Sequence, residues 1–147
     1  MERKGIRISD VKDNFLVPAL SDILEEVTNG ESFYWSILFL IGTPCPEEGL
    51  FLTEFSEKVN KSQNGVIISW EELNKLSDKF FQVWETLILG CRDVNLLIRY
   101  ETDEEMYITC DIVIELIDRT FWQVYSKDQN LISRLEKKFQ KIKFLEV

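Results

Sequence analysis

Apolar positions along the chain switch between a period of two and a period of three to four, and those switches mark out its elements. Residues 4–8 read as a first short strand. Leu16, Leu20, Ile23, Leu24 and Val27 then fall at the spacing of an amphipathic helix. Asp13 or Asn14 can cap it, Pro18 falls near its first turn, and Asn29-Gly30 supplies the stop. Residues 33–41 are apolar on both alternating faces apart from Ser36, the pattern of a strand covered above and below near the centre of a sheet. Thr43-Pro44-Cys45-Pro46-Glu47-Glu48-Gly49 breaks regular structure. Leu52, Phe55 and Val59 share a face of a short helix over 50–61, and Asn64-Gly65 turns the chain into a strand over 66–68.

The strongest helical signal begins at Ser69. Ser69-Trp70-Glu71-Glu72 fits a capping box, Leu73, Leu76, Phe80, Trp84 and Leu87 follow at spacings of three or four, and Gly90 is a stop. The spacing predicts one deeply buried helix over 69–90. Residues 94–100 read as a strand and Glu101-Thr102-Asp103-Glu104-Glu105 as a charged connection. Residues 109–117 alternate, with Cys110, Ile112, Ile114 and Leu116 on one face and Asp111, Val113, Glu115 and Ile117 on the other. That is a strand buried on one side and partly wet on the second. Residues 121–125 form its hairpin partner. Ser126-Lys127-Asp128-Gln129 opens a helix with Leu131, Ile132, Leu135 and Phe139 inward, and residues 142–145 close the chain as a strand. The order predicts a single α+β domain over 1–147, a mixed, mostly antiparallel sheet with about three helices packed against it.

Composition agrees with a packed globule: 45% of the 147 residues are hydrophobic, with ten Phe, four Trp and four Tyr. The longest apolar run is far short of the roughly 20 residues a membrane helix requires, and residues 1–8 carry no apolar segment of the signal-peptide kind. Cys45, Cys91 and Cys110 form no CxxC pair and cannot all pair within the chain. Their odd number predicts a reducing, cytoplasmic setting.

The chain contains no histidine. That removes Ser-His and Cys-His nucleophilic pairs, the common neutral-pH proton shuttle, and most zinc sites. The formal charge of −9 argues against a binder of nucleic-acid backbones. The charge is uneven: residues 1–126 hold 23 acidic and 11 basic side chains, residues 127–147 three and six. A last helix with a cationic end accounts for that tail, and an acidic face that attracts a basic partner is the other reading of the asymmetry.

The acidic stretch from Glu101 to Asp118 contains no basic side chain. Within it Asp111 and Glu115 share a strand face, as paired carboxylates that divide acid and base roles or hold Mg²⁺ would. No phosphate-cradling glycine loop accompanies them, and a solvated strand edge explains the same residues. Cys45 lies between two prolines with Glu47 and Glu48 nearby, which opposes thiolate formation. The aromatic residues suit a core, and Trp70, at a helix start, is the one whose position favours partial exposure and is a candidate interface anchor.

Residues 111–118, Asp-Ile-Val-Ile-Glu-Leu-Ile-Asp, and 121–128, Phe-Trp-Gln-Val-Tyr-Ser-Lys-Asp, resemble those of small acidic bacterial proteins of uncharacterised families. In character the chain is similar to immunity proteins of bacterial toxin systems. That resemblance implies a compact α+β domain whose acidic side chains plug the basic cleft of a cognate toxin, and it carries no functional residue onto a numbered position. The expectation is therefore a non-catalytic, cofactor-free protein-binding factor. Asp103, Glu104, Glu105, Asp111 and Glu115 would steer a basic partner, with Trp70 as anchor. A carboxylate-dependent metal hydrolase and a small-molecule-binding module are the alternatives. Nothing in the sequence sets an oligomeric state.

Overall fold

The computed structural model describes residues 5–146. Residues 1–4, which include the start of the expected first strand and half of the segment inspected for a leader, lie outside them. In chain order the elements are β1 (Gly5–Ile8), β2 (Val11–Lys12), β3 (Phe15–Leu16), α1 (Leu20–Leu24), β4 (Tyr34–Pro44), α2 (Gly49–Lys61), β5 (Val66–Ile68), α3 (Trp70–Ser77), β6 (Phe80–Cys91), α4 (Asp103–Thr109), β7 (Ile112–Ile117), β8 (Phe121–Ser126), α5 (Gln129–Lys138) and β9 (Ile142–Leu145). Seven strands join in the order β5-β4-β6-β7-β8-β1-β9, and β2 and β3 make a separate hairpin. The α+β class stands.

Two details of the expected architecture do not. Every pairing in the sheet is antiparallel, not mixed, and five α-helices are present among the described residues where about three were expected. Tight turns account for part of the first difference. Asp118 and Arg119 both take positive φ (45° and 58°), which sends β8 straight back along β7.

The largest departure lies within 69–90. Ser69 does cap a helix, accepting the Glu72 N–H at 3.1 Å, but α3 ends at Ser77 and the chain continues as the twelve-residue strand β6. Phe80, Trp84 and Leu87 match a helical stripe by coincidence. The same stretch also alternates, with Leu87, Leu89 and Cys91 on one face and Thr86, Ile88 and Gly90 on the other. Being apolar on both sides, it marks a strand covered twice, as in β4. Gly90 is no helix stop. It sits under Trp35, where a Cβ would come within 2.9 Å of the indole.

The expected helix over 16–27 shrinks to α1. Asp13 and Asn14, with φ of 54° and 68°, turn the β2–β3 hairpin instead of capping a helix. Asp22 accepts the Ala19 N–H at 2.7 Å to close the N-terminus of α1 after Pro18. Residues 94–100 hold a 3-10 turn and a loop rather than a strand. The charged connection contains the start of α4, where Thr102 accepts the Glu105 N–H at 3.2 Å.

β4 is not central: only the short β5 lies outside it, pairing with Trp35–Ile37 alone. Beyond that point side chains finish the edge. Asn60 accepts from the Leu40 N–H at 2.9 Å and donates to its carbonyl at 3.0 Å, as a partner strand would. The Arg99 guanidinium donates to the Leu38 carbonyl at 2.6 Å. These contacts close an edge that would otherwise offer itself to another chain.

One face of the sheet carries Ile6, Ile8, Trp35, Ile37, Ile88, Ile114, Trp122 and Val124 against α1, α2, α3 and α5. Trp35 and Trp122 are enclosed, and their indole N–H groups donate to the carbonyls of Gly30 and Pro18 at 2.8 and 2.9 Å. The opposite face packs Leu38, Leu89, Cys91, Val113 and Tyr125 under Leu97 and α4. No helix among the described residues is long and apolar enough to cross a membrane.

Candidate functional site

The second face of the sheet is only half covered, and its cover carries most of the acidic residues singled out above. Alternation along β7 sends Val113, Glu115 and Ile117 to this face. α4 lies over Val113 and Glu115 and stops short of Ile117. Tyr107 of α4 stacks on Tyr125 with ring centroids 3.7 Å apart and planes 12° apart. Its hydroxyl donates to Glu115 in a short hydrogen bond. Gln123 Nε2 donates to the same carboxylate oxygen at 2.8 Å, and Gln123 Oε1 accepts from Arg7 Nε and Nη2 at 3.1 and 2.8 Å. Arg7 also lies 4.2 Å over the Phe121 ring.

Glu115 is 9% exposed and lies inside this interface rather than on the surface. Burial pushes its carboxyl above the usual range despite the two hydrogen bonds, and the nearby Asp103 charge adds to the shift. Burial and the Glu115 contact likewise hold the Tyr107 phenol well above its ordinary value. The second face is thus dry at Val113 and Glu115 and wet at Ile117, the partly wet surface expected from the alternation.

Asp103, Glu104 and Glu105 fill the first turn of α4, and with Glu101 they are all exposed. Carboxylates there complement the helix dipole. No ion pair among the described residues engages them. Asp111 lies apart at the start of β7. One of its oxygens accepts the Arg92 backbone N–H at 2.9 Å, and the other is 3.9 Å from Lys127. The structure therefore brings Asp103 near Glu115 and separates Asp111 from both. Among the described residues no three Cys, Asp or Glu side chains gather to hold a metal ion.

Trp70 is half-buried. Its ring stacks on Trp35 at 5.1 Å and seats over Gly30, where a Cβ would stand 2.2 Å from the indole. The side chain belongs to the core. Cys91 and Cys110 are buried neighbours beneath α4, and contact with Cys110, together with burial, holds the Cys91 thiol well above its usual range. Cys45 is half-exposed.

Beyond α4 the same face leaves a strip of apolar side chains open. Ile41 is 40% and Ile117 37% exposed, and Phe39, Leu87 and Phe121 are half-buried. Strand register places them side by side: Phe39 opposite Leu87, and Ile117 opposite Phe121. Ile108, on the outer side of α4, is 57% exposed at the margin. Glu85, half-buried and without an ion pair among the described residues, interrupts the strip.

Sequence reasoning missed Arg7, Tyr107, Gln123 and the open strip. A Thr102-x-x-Glu105 capping signal was present to place α4, and with it Tyr107. Comparison with protein families, curated proteins and solved structures finds no match to this chain.

Proposed function

We propose that the protein is a non-catalytic binding factor, of the immunity or antitoxin kind, that docks a basic protein on the half-covered face of its sheet. The observation behind this reading is the pairing of an open apolar strip with an acidic rim. Ile41, Leu87, Ile117 and Phe121 supply surface that gains from being covered. Glu101, Asp103, Glu104 and Glu105 stand beside it without cationic partners among the described residues.

Such an arrangement divides the work of binding. The unpaired carboxylates raise the encounter rate with a basic surface, and the desolvated apolar strip slows release. Glu115 shapes the platform from below without contributing exposed charge, and the anchoring role expected of Trp70 passes to the strip.

The test is capture from extract of the source cells on immobilised wild type and on Ile117→Ser, followed by association kinetics with whatever basic protein is retained. Wild type should retain it, and Ile117→Ser should release it faster. The association rate should fall steeply between about 10 mM salt, where charges act over roughly 30 Å, and about 150 mM, where they act over roughly 8 Å. Retention of no basic protein, or an association rate indifferent to salt, contradicts the reading.

A further inference from the structure

Although the chain carries a net charge of −9, three of its cations converge on one cavity. It measures about 300 Å³ and opens where the ends of β6 and β8 meet the first turns of α5. Phe33, Ile112 and Leu131 form apolar wall, and Arg92, Lys127 and Arg134 share the polar part of the lining with Asp111 and Asp128. Arg134 Nε donates to the Glu26 carbonyl at 2.9 Å. Its Nη2 is the one buried side-chain nitrogen or oxygen among the described residues with no hydrogen-bond partner. A charged donor left unpaired away from water is costly, and native proteins seldom retain one without a role for it.

The acids around the cavity do not answer that demand. Asp128 uses its carboxylate to cap α5, accepting the Asn130 N–H at 2.9 Å. Asp111 accepts the Arg92 backbone N–H, leaving the Arg92 guanidinium over the Phe33 ring at 5.4 Å with no carboxylate partner among the described residues. Lys127 Nζ donates to the Thr109 carbonyl at 3.0 Å and stays 3.9 Å from Asp111. Ser126 Oγ, on the same wall, accepts the Asp128 N–H at 2.9 Å. The cavity therefore keeps cationic capacity in reserve: the Arg92 guanidinium has no carboxylate partner among the described residues, Arg134 leaves one donor unused, and Lys127 holds a backbone carbonyl and only a distant carboxylate. The basic excess of residues 127–147 is in part the lining of this site.

We infer that this cavity binds a small phosphate monoester, with its phosphoryl group among Arg92, Lys127 and Arg134 and its organic body against Phe33, Ile112 and Leu131. Guanidinium forks suit oxyanions. Three cations against the two carboxylates of Asp111 and Asp128 leave an excess of positive charge in the lining, which suits a doubly charged monoester better than a singly charged carboxylate. The α5 N-terminus is already occupied by Asp128, so side chains hold the anion.

The experiment is calorimetric titration of the full chain with phenyl phosphate, inorganic phosphate and benzoate, alongside thermal melts. The variants are Arg92→Gln and Lys127→Gln, both at exposed positions, with the thermal melts checking that each still folds. Phenyl phosphate should bind saturably and raise Tm, inorganic phosphate more weakly, and benzoate more weakly still. Each substitution should weaken phenyl phosphate binding about tenfold, as expected for one charge-assisted hydrogen bond. Ile117→Ser should leave it unchanged, so this site and the docking face fail or stand separately. The inference is overturned if no ligand saturates the folded chain, in which case water satisfies Arg134. It is overturned equally if benzoate binds as tightly as phenyl phosphate, or if both variants retain full affinity.

Discussion

Ile114 and Glu115 are adjacent on β7 and point to opposite sides of one sheet. Ile114 is fully enclosed by apolar side chains of the four-helix layer, whereas Glu115 enters a polar cluster beneath a single short helix. The first face is closed by volume, with Trp35 and Trp122 each filling space and each satisfied by a backbone carbonyl. The second closes only halfway, through hydrogen bonds and one stacked tyrosine pair, and leaves Ile41 and Ile117 in contact with water. One layer is closed by packing, and the other leaves apolar surface open.

This contrast breaks most visibly at Trp35. Trp35→Ala should cost about 3–5 kcal/mol, read as a lower urea midpoint with little change in slope. No single truncation on the second face should approach that loss. Tyr107→Phe keeps the stacked ring but removes one of two donors to Glu115, and should cost about 1–3 kcal/mol by the same assay.

A smaller effect concerns pH. The folded-state pKa of Glu115 is raised, so the ionised form is the one folding disfavours. The wild type should lose stability relative to Glu115→Gln as pH climbs from below the ordinary Glu value of about 4.3, until the raised pKa is passed. The gap should then level off. Denaturation midpoints across that window check the sign, and a wild type that gains stability relative to Glu115→Gln with rising pH would contradict it. Least of all, Ile117→Ser should change stability by at most about 1 kcal/mol while speeding release of the partner.

Local rules served well where local chemistry decides the outcome. The hairpin of β7 and β8, the doubly buried character of β4, the strand over 66–68 and the helix with Leu131, Ile132 and Leu135 inward were all legible. The reading failed at Phe80–Cys91, where a run apolar on every side satisfies either period and only the long partner β4 decides between them. It failed again at 101–105, where five polar residues hid a capped helix start. Asp103, Glu104 and Glu105 were legible as exposed charge. Glu115 was not legible as an interior residue, because its cover comes from a segment not expected to be helical, whereas the partial exposure expected of Trp70 is what the structure shows. The cationic cavity lay beyond reach for the same reason: Arg92 and Arg134 meet only through the sheet.

The most direct test of the docking face compares two double charge reversals that alter net charge equally. Glu104→Lys with Glu105→Lys changes the α4 rim, and Glu54→Lys with Glu57→Lys changes exposed positions of α2, a helix of the opposite layer. Stopped-flow association with the captured basic partner at low salt should slow by tenfold or more for the first pair and remain near the wild-type rate for the second. Equal slowing by both would mean that overall charge, not this face, governs recognition.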